Sequence, residues 1–258
     1  MRARVAKALA RAPVRRSVTA RARRTRARAS NRIDVLVFDL DGVLYDGANG
    51  YLERVRSRQR TFLMERYGMS EEEARETRER AFGRASQAWK GLRDLGFDVG
   101  TQDEFTAYCR SGVEEFLSYD EVLESVIRKM PHRKCVFTNT SETQGLNALR
   151  CLKLDPEQSD VFEQVFGGVF TAPVCKPQKE AFEKVLAHLG DVDPRRCVMF
   201  EDSVKNLKTA KELGMKTVFI KTRGEEPSVE DLTQFDVAID SLLDVDTLME
   251  KMPELFEL

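Results

Sequence analysis

Ile33 to Leu40 reads IDVLVFDL, a run that is apolar on both faces of its pleat and breaks off in an acid, Asp39. A strand with one wet face would alternate polar and apolar residues, so this run belongs in the middle of a sheet covered on both sides. Such a strand needs helices above and below it, and the rest of the chain supplies them. A stretch without strand character comes first: Tyr51 to Tyr67 has helical spacing, and Ser70 with Glu73 and Thr101 with Glu104 form two capping boxes, predicting a helical insertion. A helix over Asp120 to Met130 follows, stopped by Pro131. Strands are then expected at Cys135 to Thr138, Val165 to Phe170, Cys197 to Glu201, Thr217 to Ile220 and Val237 to Ile239. Helices at Glu142 to Leu152, Pro177 to Leu189 and Val204 to Leu213 separate them, and a last helix ends the chain. The expected fold is α/β, a Rossmann-like parallel sheet with helices on both faces and an inserted α-helical domain. Residues 32–47 and 120–258 would form the core, and 48–119 the insertion.

Residues 1–31 stand apart. From Met1 to Ile33 there are eleven Arg and one Lys with no acid, so this segment carries +12 and the remainder about −13, although the chain as a whole is −1. Arg, Ala and hydroxyl residues without acids make up the composition of an organellar transit peptide, chloroplast or mitochondrial, which the fold does not include. A basic arm engaging nucleic acid is the competing reading. The arm has no aromatic residues for base stacking, so a nucleic-acid partner is not expected. No apolar run approaches the ~20 residues a membrane span needs, so no membrane partner is expected either. Five scattered cysteines without a CxxC, and only two histidines, argue against a disulfide framework and a structural zinc site.

Chemistry-bearing residues cluster where strands are expected to end. Asp39 and Asp41 flank Leu40 at the carboxyl end of the first strand, and Gly42 lets the chain turn there. Two acids so placed can divide labour, an ionised Asp39 attacking phosphorus while a protonated Asp41 donates to the leaving alkoxide. Thr138 and Asn139 end the second strand, where a hydroxyl and helix-start N–H groups can hold phosphate oxygens. Lys176 precedes Pro177, a residue suited to the first turn of a helix, which would fix the lysine's direction. Glu201, Asp202 and Asn206 follow the apolar strand at Val198 to Phe200, and hard oxygen ligands of this type suit magnesium. Taken singly, each cluster also has a plain structural reading, as an Asx turn, an N-cap, a surface lysine or an acidic helix start, and for the hydroxyl cluster and the lysine that reading is the stronger. Gathered at one sheet edge, they form the inventory that phosphoryl transfer requires.

FDLDGV, FTNTS, CKP and FEDSVKN, in that order, resemble the four motifs of the haloacid dehalogenase superfamily of hydrolases across Ile33 to about Thr222. The long gap after the first motif is similar to the subfamily with a helical cap inserted there. The resemblance implies Asp39 as nucleophile and magnesium ligand, and Asp41 as general acid and base with its carbonyl on the metal. Thr138, Asn139 and Lys176 would hold the phosphate, Asp202 would complete the protein's magnesium ligands, and Gly42, Glu201 and Asn206 would support them. Asp41 favours a phosphatase, since dehalogenase members lack an acid there. FDLDGVLYDG, PVCKPQKEAFEKVL and LGMKTV look most like the pyrimidine 5′-nucleotidase branch. The implied substrate is a small phosphomonoester, a nucleoside 5′-monophosphate first. Gly42 in place of Asn, the missing histidine after Asn139, and Glu201 in place of Asp keep a sugar-phosphate phosphatase or phosphomutase open. A non-catalytic binding protein using the basic arm is the reading from another class. Among the insertion's aromatics, Trp89, Phe82, Phe97, Phe105 and Tyr108 are expected in a helical core. Tyr45 is expected to face substrate.

Overall fold

The computed structural model describes residues 32–221 and 228–257; the basic arm lies outside them. Six strands form one sheet: β1 (Val35–Phe38), β2 (Arg133–Phe137), β3 (Gln164–Phe166), β4 (Cys197–Glu201), β5 (Lys216–Ile220) and β6 (Val237–Ile239). They are parallel throughout, in the order β3-β2-β1-β4-β5-β6. β1 is central, and its four residues are buried on both sides. Leu36 and Phe38 join the hydrophobic cluster on one face, with Val136, Phe200 and Val218, while Val35 and Val37 join the other, with Phe137, Met199 and Phe219. The period-2 alternation of a strand thus feeds two cores from one apolar run. Phe38 stacks on Phe200 at 4.3 Å between ring centroids, locking β1 to β4.

Between β1 and β2 the chain forms α1 (Tyr51–Tyr67), α2 (Glu71–Ala85), α3 (Ala88–Asp94), α4 (Gln102–Arg110) and α5 (Glu121–Lys129). Both expected capping boxes are present, Ser70 with Glu73 and Thr101 with Glu104. Each such cap contributes about 1 kcal/mol. The first four helices pack around Leu63, Ala81, Leu92 and Phe105, while Trp89, Phe97 and Tyr108 lie partly buried against them as expected. Phe82 departs from that expectation, being 46% exposed. After β2 come α6 (Glu142–Leu152), α7 (Gly168–Thr171), α8 (Lys179–His188), α9 (Val204–Glu212), α10 (Val229–Gln234) and α11 (Val245–Lys251). Among the described residues no helix is long and apolar enough to cross a membrane. The five cysteines are free, four of them buried.

β2 starts two residues before the expected Cys135 and β5 one before Thr217, and two further boundaries differ because a tertiary partner intervenes. The strand read over Val165 to Phe170 stops at Phe166, because Gly168 N–H turns to the Thr140 carbonyl at 2.7 Å and Phe170 N–H to Glu142 Oε1 at 2.8 Å. Gly168 also has no room for a Cβ, which would meet Gln87 Nε2 at 2.7 Å and the Asn139 carbonyl at 2.8 Å. Pro177 does not open the helix as read: the N-cap is Gln178, and Lys176 and Pro177 form a turn before it across a cis peptide.

Candidate active site

All four sequence clusters meet at the carboxyl edge of β1, β2 and β4. Hydrogen bonding continues one residue past two of these strands: Asp39 N–H donates to the Phe200 carbonyl and Thr138 N–H to the Phe166 carbonyl, each at 2.9 Å. The backbone of both residues is therefore set by the sheet while their side chains project beyond it. Glu201 is the last residue of β4 and Asp202 the next. The strand order reverses between β1 and β4, and at such a switch point open α/β sheets hold ligands.

Lys176 is the electrostatic centre. Its side chain is 1% exposed and spends its three protons on Asp39 Oδ1 at 2.8 Å, Glu201 Oε2 at 2.7 Å and the Phe137 carbonyl at 2.8 Å. Burial pulls its pKa down, but the two carboxylates outweigh burial and hold the ammonium protonated, above its usual range. Asn139 sets the direction that was attributed to Pro177. Its Oδ1 accepts from Lys176 N–H and its Nδ2 donates to the Lys176 carbonyl, both at 2.9 Å. The backbone carbonyl of Asn139 accepts from Gln87 and Gln102 of the helical insertion. Asn139 is thus occupied in positioning Lys176, while the Thr138 hydroxyl, which accepts from Thr140 N–H at 3.2 Å, lines the cavity.

Three acids crowd against this one lysine. Oxygens of Asp39, Glu201 and Asp202 lie within 4.8 Å of one another. Burial, then the charge of Glu201, pushes Asp39 up to about 8, against the pull of Lys176. Burial likewise pushes Glu201 up to about 7, opposed by Lys176, and pushes Asp202 up to about 7, reinforced by the charge of Asp39. A hard divalent cation fits this donor set, since it would neutralise the excess of buried carboxylate oxygen. Gly42 makes room for the Asp202 side chain. Its φ is +81°, and a Cβ there would run into the Asp202 carboxylate. Asn206, 6% exposed in the first turn of α9, lines the same cavity.

Sequence reasoning missed Arg110. This last residue of α4, 6% exposed, donates to both oxygens of Asp41, Nη1 to Oδ2 at 2.9 Å. The Tyr45 hydroxyl also donates to Asp41. Asp41 therefore accepts hydrogen bonds from both Tyr45 and Arg110. Tyr45 is 9% exposed and borders a second cavity, beside Asp46 and Phe116, while its hydroxyl reaches Asp41. Phe82 does border the nucleophile's cavity. Neither histidine belongs to the site: His132 bonds the Glu254 carbonyl and His188 packs on Phe166 and Phe170.

A family model for haloacid dehalogenase-like hydrolases matches residues 33–214, and the chain belongs to that family. It is a hydrolase of the class whose motifs the sequence resembles. Among solved structures it is similar to CbbY from Rhodobacter sphaeroides in complex with phosphate, at 21% identity and a TM-score of 0.59 over 86% of this chain and 99% of that one. It is similar also to a phosphatase of the family from Thermococcus onnurineus, at 20% identity and a TM-score of 0.55 over 85% and 99%. YfnB from Bacillus subtilis, bound to magnesium, matches at 17% identity and a TM-score of 0.54 over 88% and 100%. At these identities the likeness is one of fold.

Proposed function

We propose that this chain is a magnesium-dependent phosphomonoester hydrolase acting through an aspartyl-phosphate, with helices α1 to α4 as its substrate-covering cap. The observation that carries the reading is the pairing of Asp39, held by Lys176, with a second acid, Asp41, at the end of the same strand.

An oxygen of Asp39 attacks the phosphorus of the ester, forming the acyl-phosphate bond as the bond to the alkoxide breaks. Asp41, arriving protonated for this half, gives its proton to the leaving oxygen. Lys176 stabilises charge building on the transferring group and keeps Asp39 aimed, while the Thr138 hydroxyl and neighbouring N–H groups hold the phosphoryl oxygens. In the second half water attacks phosphorus, Asp41 takes its proton, and inorganic phosphate leaves with Asp39 restored. The acceptor state of Asp41 beside Arg110 is the one this second half uses. A magnesium ion on Asp39, Asp202 and the Asp41 carbonyl would supply charge neutralisation.

Nucleoside 5′-monophosphates are the first substrates to try. The exposed Phe82 ring supports this choice, standing on the wall of a cavity of about 530 Å3, a usual size for small-molecule sites. The acid-free basic arm supports import into an organelle, which a fusion of residues 1–31 to a fluorescent protein would test.

The test is release of inorganic phosphate from UMP, CMP, FMN, glucose 1-phosphate and phosphoglycolate, with and without magnesium, using residues 32–258. Asp39→Asn is expected to lower turnover by about a thousandfold or more, since an amide does not attack phosphorus. Full turnover in that variant overturns the mechanism.

A further inference from the structure

The cavity that holds Asp39 has a second basic wall for which the chemistry above has no use. α1 brings Arg56 and Gln59 to it, one turn apart, and α2 brings Arg78 and Phe82, four apart on one helix face. Counter-charge is scarce on this wall. Glu53 is shared between Arg56 at 3.6 Å and Arg60 at 3.3 Å, and Glu79 is taken by Arg75 at 3.1 Å. Arg78 makes no ion pair among the described residues; its Nε donates to Gln59 Oε1 at 3.0 Å and its guanidinium lies 4.9 Å from the centre of the Phe82 ring. Burial, and after it the charges of Arg56 and Arg60, pulls the Arg78 pKa down from its usual value. A half-buried guanidinium among like charges gains by meeting an anion. The cations at the reacting end differ, Lys176 being matched by Asp39 and Glu201, and Arg110 by Asp41.

We propose that Arg78, with Arg56 and Gln59, forms a second anion site, so that the preferred substrate carries a phosphate or carboxylate at the end away from the scissile phosphate. The inference rests on the phosphomonoesterase reading and narrows its substrate class. A neutral pyrimidine or sugar at that end leaves the wall unsatisfied, whereas a carboxylated base or a second phosphate satisfies it with bidentate bonds.

Matched substrate pairs test this. UMP and orotidine 5′-monophosphate differ by one carboxylate, and glucose 6-phosphate and glucose 1,6-bisphosphate by one phosphate, so the two pairs also tell the anions apart. The second anion is expected to lower KM by about tenfold or more. Arg78→Gln is expected to raise KM for the doubly anionic member by about tenfold to a hundredfold, with kcat less affected and a penalty at least about tenfold smaller for its partner. Arg78→Lys should recover part of the loss. Equal KM within both pairs, or Arg78→Gln acting equally on both members, overturns the proposal. So does a base preference removed by Phe82→Ala with Arg78→Gln unselective, which would make the wall a stacking surface. If no pair releases phosphate and Asp39→Asn matches the parent, the phosphomonoesterase reading has failed instead. Calorimetry with inorganic phosphate then still decides: two sites in the parent and one in Arg78→Gln support the wall, and equal stoichiometry overturns it.

Discussion

Arg110 grips Asp41 across 69 positions of sequence, the guanidinium of a helix in the insertion closing on both oxygens of the acid beyond β1. Two segments that the sheet does not join are thereby tied at the point where the reaction is proposed to occur. The Arg110 carbonyl, moreover, accepts from the Tyr51 hydroxyl at 3.0 Å, so the end of α4 is fixed to the start of α1 as well.

Arg110→Ala should therefore loosen the insertion more than it destabilises the sheet. Hydrogen exchange is expected to speed up at residues 42–50 and 110–118 while β1, β2 and β4 keep their protection. Unchanged exchange in both linkers would show that the contact holds nothing in place.

Lys176→Met removes the cation that pairs with Asp39 and Glu201. Breaking one side of a buried ion cluster costs about 3–5 kcal/mol. Denaturant unfolding should show that loss in the absence of metal and a smaller one at saturating magnesium. Turnover should fall by about a hundredfold or more, since a transition-state charge loses its partner.

Without metal, stability should decline as pH rises through the range in which the site ionises. Asp39 stands at about 8, and Glu201 and Asp202 at about 7, all above their unfolded values, so the native state retains protons that the unfolded chain has released. Their contribution is complete below about pH 4 and disappears as pH climbs through 7 and 8. Melting temperatures measured in chelator from pH 5 to 8.5 should fall more steeply for the parent than for Asp202→Asn, and magnesium should flatten the parent's slope. Identical slopes for the two proteins would contradict the shifts.

Gly42→Ala combines a left-handed backbone, at φ +81°, with a collision at the Asp202 carboxylate. The backbone alone costs about 1–2 kcal/mol. A larger consequence is expected for magnesium, whose affinity should weaken by about tenfold or more as Asp202 is displaced, with circular dichroism unchanged. Unaltered affinity would separate Asp202 from the metal.

Much of the architecture was written locally. The α6 helix, β4 and β6 begin and end where periodicity puts them, because each alternates against neighbours of one kind and carries its own stop signals. The predicted acids, hydroxyl and lysine did converge, since parallel strands deliver their ends to one edge. Failures arose where a tertiary partner overrode local preference. Pro177 would suit a helix start, but Asn139 takes both backbone groups of the preceding lysine and holds the chain in a turn. Gly167 and Gly168 end β3 because Glu142 and Thr140 claim their N–H groups. Arg110 leaves no local trace at all, as nothing near it in sequence shows that a carboxylate waits 69 positions away. Phe82 was read as core from its company, yet the helix face it shares with Arg78 turns toward the cavity.

The carbonyl of Asn139 is a single acceptor serving two amide donors of the insertion, Gln87 and Gln102, while the same residue's side chain grips Lys176. Helices docked by donors onto one fixed oxygen have one seated position, not a sliding range. Losing either amide would disturb the carbonyl that the other uses, so the seat of the insertion and the residue that grips Lys176 are one feature of the chain.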